Sequence, residues 1–350
     1  MSDVRAVLNR VYTADMPDLR DIEYLLSLED ADQIDELYKF ADNVRREQVG
    51  DGVLLRGIVE FSNYCRNTCA YCGLNKYNKQ IRRYRMAHDE IMACLDKIVS
   101  CNTKTVVLQS GEEDELDAAW LQDLLFKIKD KHDIAVTLSL GERSDQEFEM
   151  WRNAGADRYL LKIETSDKQL YEKLHPEMSF DRRVECLRKL GSMGYQLGSG
   201  CMVGLKGQTT ASLARDVQFF VREKIAMIGI GPFIPHSQTE CANHACGDVE
   251  LVCKMTAVTR IATKNTHMPA TTALGSLGNG DMRLKALACG ANVLMPNFTP
   301  VEYKKLYEIY PGKRCVNEPT GACSGCMEKM VKSIGRYVDW ARGDTLKSYN

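Results

Sequence analysis

The sequence contains no long apolar run and no excess of charge of one sign. None of its apolar stretches approaches the 18 or so residues that a membrane span requires. Its first residues, MSDVRAVLNR, do not follow the basic, apolar and small-residue order of a secretion signal. The formal net charge is −2, from 46 basic and 48 acidic residues, and this balance does not favour nucleic acid or an anionic membrane as a partner. We therefore expect a cytoplasmic protein with a small-molecule site.

Linkers rich in Pro or Ser and low-complexity segments are also missing. The 350 residues are 44% apolar and 27% charged, which is enough to bury a sizeable core and excludes a disordered chain. Cysteine is the unusual residue, because 14 of them are too few for a small disulfide scaffold. In a reducing compartment such cysteines are more often metal ligands, catalysts or core residues. Their positions should therefore indicate the function.

Six cysteines form two groups of three: Cys65, Cys69 and Cys72 near the start, and Cys315, Cys323 and Cys326 near the end. A structural zinc site takes four protein ligands, and no fourth Cys or His lies near Cys65 in the sequence. A [4Fe–4S] cluster bound by three cysteines keeps one iron open for a ligand that is not protein. We expect such a cluster at the first group. An incomplete zinc knuckle and a plain thiol loop remain alternatives.

Short β-like runs alternate with amphipathic helices after residue 50, and we predict eight strands: 53–63, 104–110, 134–141, 158–165, 196–205, 227–235, 268–276 and 293–300. The helical stretches between them include 116–131, 144–154, 180–193, 209–223 and 248–263. This order predicts an α/β fold, a complete (β/α)8 TIM barrel with its site at the carboxyl ends of the strands. A doubly wound open sheet is the competing architecture. Polar residues near almost every strand end favour a single ringed site.

Three parts follow from this pattern. Residues 1–50 have helical periodicity and form an N-terminal helical segment, and residues 51–310 form the barrel. Residues 311–350 begin with loop-forming residues and carry the second cysteine group, so we expect an appendage that closes one end of the barrel.

The C-x3-C-x2-C spacing, with Tyr71 before the last cysteine, resembles that of the radical S-adenosylmethionine (SAM) enzymes. The resemblance implies a cluster that binds the amino and carboxylate groups of SAM and cleaves it reductively to a 5′-deoxyadenosyl radical. The candidate SAM residues are Tyr71, Ser110, Gly111, Glu112, Ser139, Glu164, Arg183 and Met202. Among them, Glu112 or adjacent carbonyls would accept from the ammonium, Arg183 would bind the carboxylate, and Glu164 would accept from the ribose hydroxyls.

Longer strings, such as FSNYCRNTCAYCGLNKYNK, SMGYQLGSGCMVGLKGQT and MPATTALG, closely resemble the HydE family of [FeFe]-hydrogenase maturases, between about residues 50 and 315. The resemblance implies assembly of the di-iron subcluster of the hydrogenase H-cluster, acting on an Fe(CO)2(CN) unit carried by cysteine. It implies HydG and HydF as partner maturases and a reductant such as ferredoxin or flavodoxin. The implied substrate cavity comprises Gln109, Met227, Thr271, Thr272, Met295 and Tyr310. The second cysteine group matches the C-x7-C-x2-C of an accessory cluster, [2Fe–2S] or [4Fe–4S].

Two departures from the family pattern bear on the substrate. Lys162 stands where the family pattern leads us to expect Arg, which replaces a bidentate anion contact by a point charge. The acidic run Glu113-Asp114-Glu115 stands where Asp-Pro is expected.

Other functions remain open at this stage. A methylornithine synthase, which rearranges an amino acid on the same barrel, is one alternative, and an iron–sulfur carrier without enzymatic activity is another. Biotin synthase fits less well, because its cluster-binding cysteine would fall at Gly198.

Overall fold

A six-stranded parallel sheet, in which the strand order follows the chain, lies at the centre of the protein. The computed structural model describes residues 3–278 and 280–347, without the side chains of Cys323 and Ser324. Its strands are β1 (Gly52–Leu55), β2 (Gly57–Ser62), β3 (Thr105–Ser110), β4 (Ala135–Ser139), β5 (Arg158–Leu160), β6 (Gln196–Val203), β7 (Met227–Pro232), β8 (Val293–Leu294) and β9 (Tyr337–Asp339). The sheet runs from β2 to β7 without the reversal of order that a doubly wound sheet requires. A second sheet has the order β8-β1-β9.

Helices precede, separate and follow the strands along the chain. They are α1 (Val4–Thr13), α2 (Leu19–Leu26), α3 (Ala31–Val49), α4 (His88–Ser100), α5 (Ala118–Lys131), α6 (Asp145–Asn153), α7 (Lys168–Leu174), α8 (Phe180–Ser192), α9 (Thr210–Arg222), α10 (Val249–Thr263), α11 (Thr272–Gly275), α12 (Arg283–Ala288), α13 (Val301–Lys304) and α14 (Ala322–Ser333). The five stretches predicted as helices correspond to α5, α6, α8, α9 and α10. Capping residues determine where several helices begin: Asp117 caps α5, and Ser144 and Glu147 form a capping box at α6.

The core lies between these helices and the sheet. Phe148 and Trp151 of α6 are fully buried, and Phe148 packs edge-on against Tyr159 of β5. Tyr195 lies against the same tyrosine ring. Burying a large apolar side chain contributes about 1.5–3 kcal/mol, so this aromatic layer holds α6 on the strands.

Four of the predicted strands differ from the structure. The run 158–165 forms a strand only over Arg158–Leu160, and the run 293–300 only over Val293–Leu294. The run 53–63 is divided at Arg56, where the chain leaves its pairing with β8 and begins to pair with β3. The prediction of a continuous strand over 268–276 is wrong. Only single bridges, at His267 and Pro269, occur there, because proline has no N–H to donate and Thr271 already caps α11.

Isolated parallel bridges join the two sheets. Met227 pairs with His267, Pro269 pairs with Val293, and Ile58 pairs with Asn297. The first two bridges connect β7 to β8 by way of the segment 267–269. The third connects the residues after β8 to β2.

The terminal segments pack on this framework. Helix α3 packs on α10 and helix α2 packs on α9. At the other terminus β9 pairs with β1, and Asp344 binds Arg158 at the amino end of β5. Lys313 instead forms an ion pair with Glu60 in β2. The segment after residue 310 therefore contacts the amino ends of strands as well as the interior near the carboxyl end of β2, and does not simply close one end as expected.

Candidate active site

The three cysteines of the first group lie on the loop that follows β2. Cys65, Cys69 and Cys72 are each partly buried. The N–H of Cys72 donates to the carbonyl of Cys69 at 3.3 Å, and the N–H of Lys76 donates to the carbonyl of Asn67 at 2.9 Å, so the chain folds back on itself around the thiols. The side chain of Arg83 donates to the carbonyl oxygens of Asn63 and Leu74 at 2.6 and 2.9 Å, which ties the two ends of the loop together.

The three thiols are close enough to affect one another. Burial, and then Cys72 and Cys65, raise the pKa of Cys69. Burial and Cys65 raise the pKa of Cys72 to about 12, against the N–H of Leu74, which lowers it. These shifts favour neutral thiols, so three thiolates at this place require a cation to balance their charge.

The donor set fits an iron–sulfur cluster. Burial raises the pKa of Cys65, whereas the backbone N–H groups of Asn67 and Glu112 hydrogen-bond to this sulfur and lower it. Such N–H donors stabilise the charge on cluster sulfurs. Among the described residues, no three His, Cys, Asp or Glu side chains converge on one ion. A cluster that takes one thiolate per iron spreads its ligands and needs no such convergence.

Gly111 brings the loop after β3 against the cysteine loop. A β-carbon at this position would overlap the carbonyl oxygen of Tyr64 and lie 2.7 Å from the β-carbon of Cys65. The N–H of Gly111 donates to Ser62 at 3.2 Å, and the carbonyl of Gly111 accepts from the Ser110 hydroxyl at 2.6 Å. Only glycine permits this approach of two backbones.

Glu112 is buried and already has partners. Its Oε1 accepts from Arg66 Nε and Nη2 at 3.1 and 2.8 Å, and its Oε2 accepts from the N–H of Glu142 at 2.8 Å. Arg183 Nη2 lies 3.8 Å from Oε2. The carboxylate therefore holds the cysteine loop through Arg66. Its contact with the ammonium of SAM stays a prediction.

Arg183 lies in the first turn of α8 and is buried. Its Nε donates to Glu142 at 2.7 Å, and its Nη1 donates to the carbonyl of Lys162 at 3.0 Å. Its positive charge lowers the pKa of Cys69, although burial and the other thiols outweigh this effect. Arg183 is therefore within electrostatic reach of the cysteine group.

Glu164 follows β5 in a left-handed conformation, with φ of 59°. Its carboxylate lies 3.0 Å from the ammonium of Lys162, so the residue that departs from the family pattern forms an ion pair with a predicted SAM ligand. The geometry of that contact is not a hydrogen bond, and Oε2 has no hydrogen-bond partner among the described residues. Ser139 ends β4 and is level with Gln109 of β3.

Tyr71 and Met202 lie together at the edge of a small apolar cluster that is separate from the main core. Its buried members are Ala70, Leu170, Leu174, Leu205, Phe233 and Cys241. The hydroxyl of Tyr71 is 2.8 Å from His175 Nε2. Burial and the nearby Arg183 lower the pKa of His175 to about 3, which keeps this imidazole neutral.

Most residues of the predicted substrate cavity are partly buried: Gln109, Thr271, Thr272, Met295 and Tyr310. The hydroxyl of Thr271 donates to the carbonyl of Ile230 at 3.2 Å. Burial, and then Glu60, raise the pKa of Tyr310.

Met227 does not belong with this group. It begins β7, its sulfur accepts from Arg56 at 2.6 Å, and it lines a small cavity with Arg158 and His267 at the amino ends of the strands. The predicted strand 227–235 already begins at Met227, so the sequence placed this residue at the amino end of the strand, away from the carboxyl ends where the site was expected.

Sequence reasoning missed the buried ion pair between Glu60 and Lys313. Asn297 donates to the other carboxylate oxygen of Glu60 at 2.8 Å. The cue was present, because Glu60 is a charged residue inside the otherwise apolar strand β2, and buried charges require partners.

The second cysteine group is held differently from the first. Cys315 is partly buried and has a left-handed φ of 60°, and Cys326 is exposed on α14. The side chain of Cys323 lies outside the part of the chain that the structure describes.

In the described part of the chain, no helix is both long and apolar enough to cross a membrane.

Comparison with known proteins identifies the family. The model of the Radical SAM superfamily matches residues 59–220. The chain is 47% identical over 317 residues to the [FeFe] hydrogenase maturase subunit HydE of Thermotoga maritima, and the match covers 90% of each chain. It is 28% identical to 3-methylornithine synthase of Methanosarcina acetivorans, over 78% of this chain and 77% of that one.

Solved structures support the fold. Methylornithine synthase (PylB) superposes with a TM-score of 0.86 at 24% identity, covering 97% of this chain and 98% of that one. The hydrogenase maturase HydG superposes with a TM-score of 0.83 at 18% identity, covering 97% of this chain and 76% of that one. Identity, coverage and fold together show that this chain is an enzyme of the radical SAM superfamily and belongs to the HydE family of [FeFe]-hydrogenase maturases.

Proposed function

We propose that the protein binds a [4Fe–4S] cluster through Cys65, Cys69 and Cys72 and cleaves SAM reductively during maturation of [FeFe]-hydrogenase. The observation that carries the proposal is the group of three adjoining, partly buried thiols, which receives backbone N–H donors and lies against Gly111. Membership in the radical SAM superfamily implies both the cluster and SAM. When bound, the cluster supplies the electron that splits SAM into methionine and a 5′-deoxyadenosyl radical.

The residues around the thiols have the chemistry that SAM needs. Arg183 is the cation for its carboxylate, and the carbonyls of the 110–112 loop or Glu112 accept from its ammonium. Glu164, with Ser139 at the end of the neighbouring strand β4, accepts from the ribose hydroxyls. Tyr71 and Met202 provide a partly buried apolar surface for the adenosyl group.

We also propose that the two sheets together form a complete (β/α)8 barrel. The single bridges at His267, Pro269 and Asn297 support closure, because they connect β7 to β8 and β8 to β2. In this arrangement residues 1–50 are an N-terminal helical segment, residues 51–310 the barrel, and residues 311–350 a C-terminal extension.

The proposed substrate is a cysteine-bound Fe(CO)2(CN) unit, with HydG and HydF as partner maturases and a ferredoxin or flavodoxin as reductant. The 47% identity to a HydE protein supports this role. Gln109, Thr271, Thr272, Met295 and Tyr310 would line the cavity. Cys315, Cys323 and Cys326 would hold an accessory iron–sulfur cluster.

Two measurements test the proposal. Anaerobically reconstituted and dithionite-reduced protein should form 5′-deoxyadenosine from SAM, and the EPR spectrum of its reduced cluster should change when SAM is added. If neither occurs, the protein is a carrier or scaffold rather than an enzyme. Expression in a strain lacking HydE should restore hydrogenase activity. Rescue failure, combined with methylornithine formation from lysine, would assign the methylornithine synthase function instead.

A further inference from the structure

A buried carboxyl group on α9 has no role in the site described above. Asp216 is fully buried, although buried aspartates are rare unless they are paired. Its Oδ2 has no hydrogen-bond partner among the described residues. Burial raises the pKa of Asp216 to about 7, against the Ser166 donors, which lower it. A group this costly to bury calls for an explanation from what its other oxygen binds.

That other oxygen binds the turn after β5. Oδ1 of Asp216 accepts from the N–H of Ser166 at 2.5 Å and from the hydroxyl of Ser166 at 2.6 Å. The neighbouring residue on the same helix, Arg215, donates to Asp167 at 3.0 Å. Helix α9 therefore holds two successive residues of the turn from outside the sheet.

The turn carries Glu164 in an unfavourable backbone conformation. A left-handed φ is uncommon for a residue with a β-carbon and persists only where its surroundings enforce it. On one side, the N–H of Glu164 donates to Gly200 and its carbonyl accepts from Met202, both at 3.0 Å. On the other side, the N–H of Thr165 turns back to the carbonyl of Ile163 at 2.7 Å, and Ser166 is the first residue held from outside the sheet. Without Asp216, the hold of helix α9 on the turn would be reduced to the contact between Arg215 and Asp167.

We propose that Asp216 is a positioning residue for SAM, which holds the 164–167 turn so that Glu164 faces the ribose hydroxyls. The inference rests on the proposed role of Glu164. One carboxylate oxygen that receives both the N–H and the hydroxyl of Ser166 fixes the backbone and the side chain of this residue together. Cys201 of β6 forms a parallel bridge with Glu164, and burial and then both carboxylates raise the pKa of its thiol.

The test measures anaerobic binding of SAM, and of an analogue lacking both ribose hydroxyls, to reconstituted protein. We expect Asp216→Ala to raise the Kd of SAM about tenfold and to leave the Kd of the analogue unchanged, because only the ribose contact is weakened. Asp216→Asn retains an acceptor for both Ser166 donors and should stay within about twofold of wild type. In a protein that already carries Glu164→Ala, Asp216→Ala should not raise the Kd of SAM any further.

A matched control lies on the same helix. Glu223 follows α9 and binds Arg188 at 2.8 Å, so Glu223→Ala removes a carboxylate of this helix without touching the turn. It should not change the Kd of SAM. If Asp216→Ala fails to fold, Ser166→Ala removes one of the two donors, and it should raise the Kd of SAM about threefold with no effect on the analogue.

The outcomes distinguish a failure of the positioning role of Asp216 from a failure of the proposed ribose role of Glu164. If Glu164→Ala leaves the Kd of SAM unchanged, the ribose role of Glu164 is wrong and the inference falls with it. If Glu164→Ala weakens SAM but Asp216→Ala does not, only the inference is overturned. An equal loss for SAM and the analogue in Asp216→Ala would likewise overturn it, since that pattern indicates general loss of structure.

Discussion

The two cysteine groups of the chain have the same number of thiols but different surroundings. The first follows a buried strand, and its loop is held by Gly111, Glu112 and Arg83. In the second, Cys315 lies on a left-handed turn and Cys326 is exposed on α14. Burial and fixed N–H donors tune a cluster and protect it from solvent, whereas an exposed site leaves its metal accessible. The comparison teaches that an equal number of thiols does not give two groups the same environment for a metal.

The largest expected effect comes from removing one thiol of each group. Cys69→Ala should reduce formation of 5′-deoxyadenosine at least about a hundredfold, because one iron of the cluster loses its ligand. Cys326→Ala should retain more than about half of the wild-type rate, since its thiol is exposed on α14 and does not belong to the loop that follows β2. Anaerobic single-turnover assays measure both. Equal losses would contradict the division into a catalytic and an accessory group.

Replacing a glycine by alanine near each cysteine group tests how tightly the surroundings of that group are packed. Gly111→Ala should lower the iron content of the reconstituted protein and reduce SAM cleavage about tenfold, because the new β-carbon collides with the cysteine loop. Gly325→Ala is the matched control on α14, where an added β-carbon meets no described atom within 4 Å. Alanine is also favoured over glycine in a helix, so the control should unfold at the same temperature or slightly higher. Iron analysis and thermal unfolding measure the difference, and identical behaviour would contradict it.

A fall in pH should affect the first group through His175. Its pKa in the folded protein is about 3, below the ordinary 6.5, so the unfolded chain binds more protons between these values. The contribution of neutral His175 to the stability of the fold is therefore fully present above about pH 6.5 and is lost as the pH falls toward 3. Thermal unfolding between pH 7.5 and 5 should show this loss, and His175→Gln should reduce it.

His267 is a control that is also buried and neutral but lies away from the first cysteine group. Burial lowers its pKa to about 3 as well, but it lies at the amino ends of the strands. His267→Gln should also reduce the acid sensitivity, and it should leave SAM binding unchanged. A wild-type melting temperature that did not fall between pH 7.5 and 5 would contradict the prediction.

The smallest expected effect concerns the hydroxyl of Tyr71. Tyr71→Phe removes the hydrogen bond to the buried His175 and should cost about 1 kcal/mol of unfolding free energy. Tyr337→Phe changes an exposed tyrosine of β9 and should stay within about 0.5 kcal/mol of wild type. Denaturant titration measures both, and an equal effect would mean that the buried contact contributes nothing.

The sequence predicted elements with strong local determinants. Helices α5, α6, α8, α9 and α10 were predicted to within two residues, because their apolar periodicity and capping residues act within the element. The α/β class and the HydE family were likewise confirmed. The 268–276 run was not, since its apolar composition resembles a strand but Pro269 and Thr271 interrupt the pairing.

Contacts between distant segments could not be read from the sequence. Met227 was assigned to the substrate cavity although the predicted strand begins at this residue, and the structure shows that its sulfur contacts Arg56, 171 positions away. The pairing of Glu60 with Lys313 joins residues 253 positions apart, and no local pattern encodes it. The assignments to SAM stay predictions, although the structure places Arg183 within electrostatic reach of Cys69 and gathers Tyr71 with Met202.

The pairing of β1 with β9 has a consequence for synthesis of the protein. Arg336 donates to the carbonyl oxygens of Asp51 and Gly52, residues 285 and 284 positions earlier in the chain. At about 5–20 residues per second, β1 waits roughly 15 to 60 seconds on the ribosome before β9 is made. Its other neighbour, β8, is also made late, so for most of that interval both edges of an apolar strand stay unpaired, a condition that promotes aggregation. Slow translation near the end of the message and shortage of chaperones should therefore reduce the yield of folded protein more than they do for a domain built from local contacts.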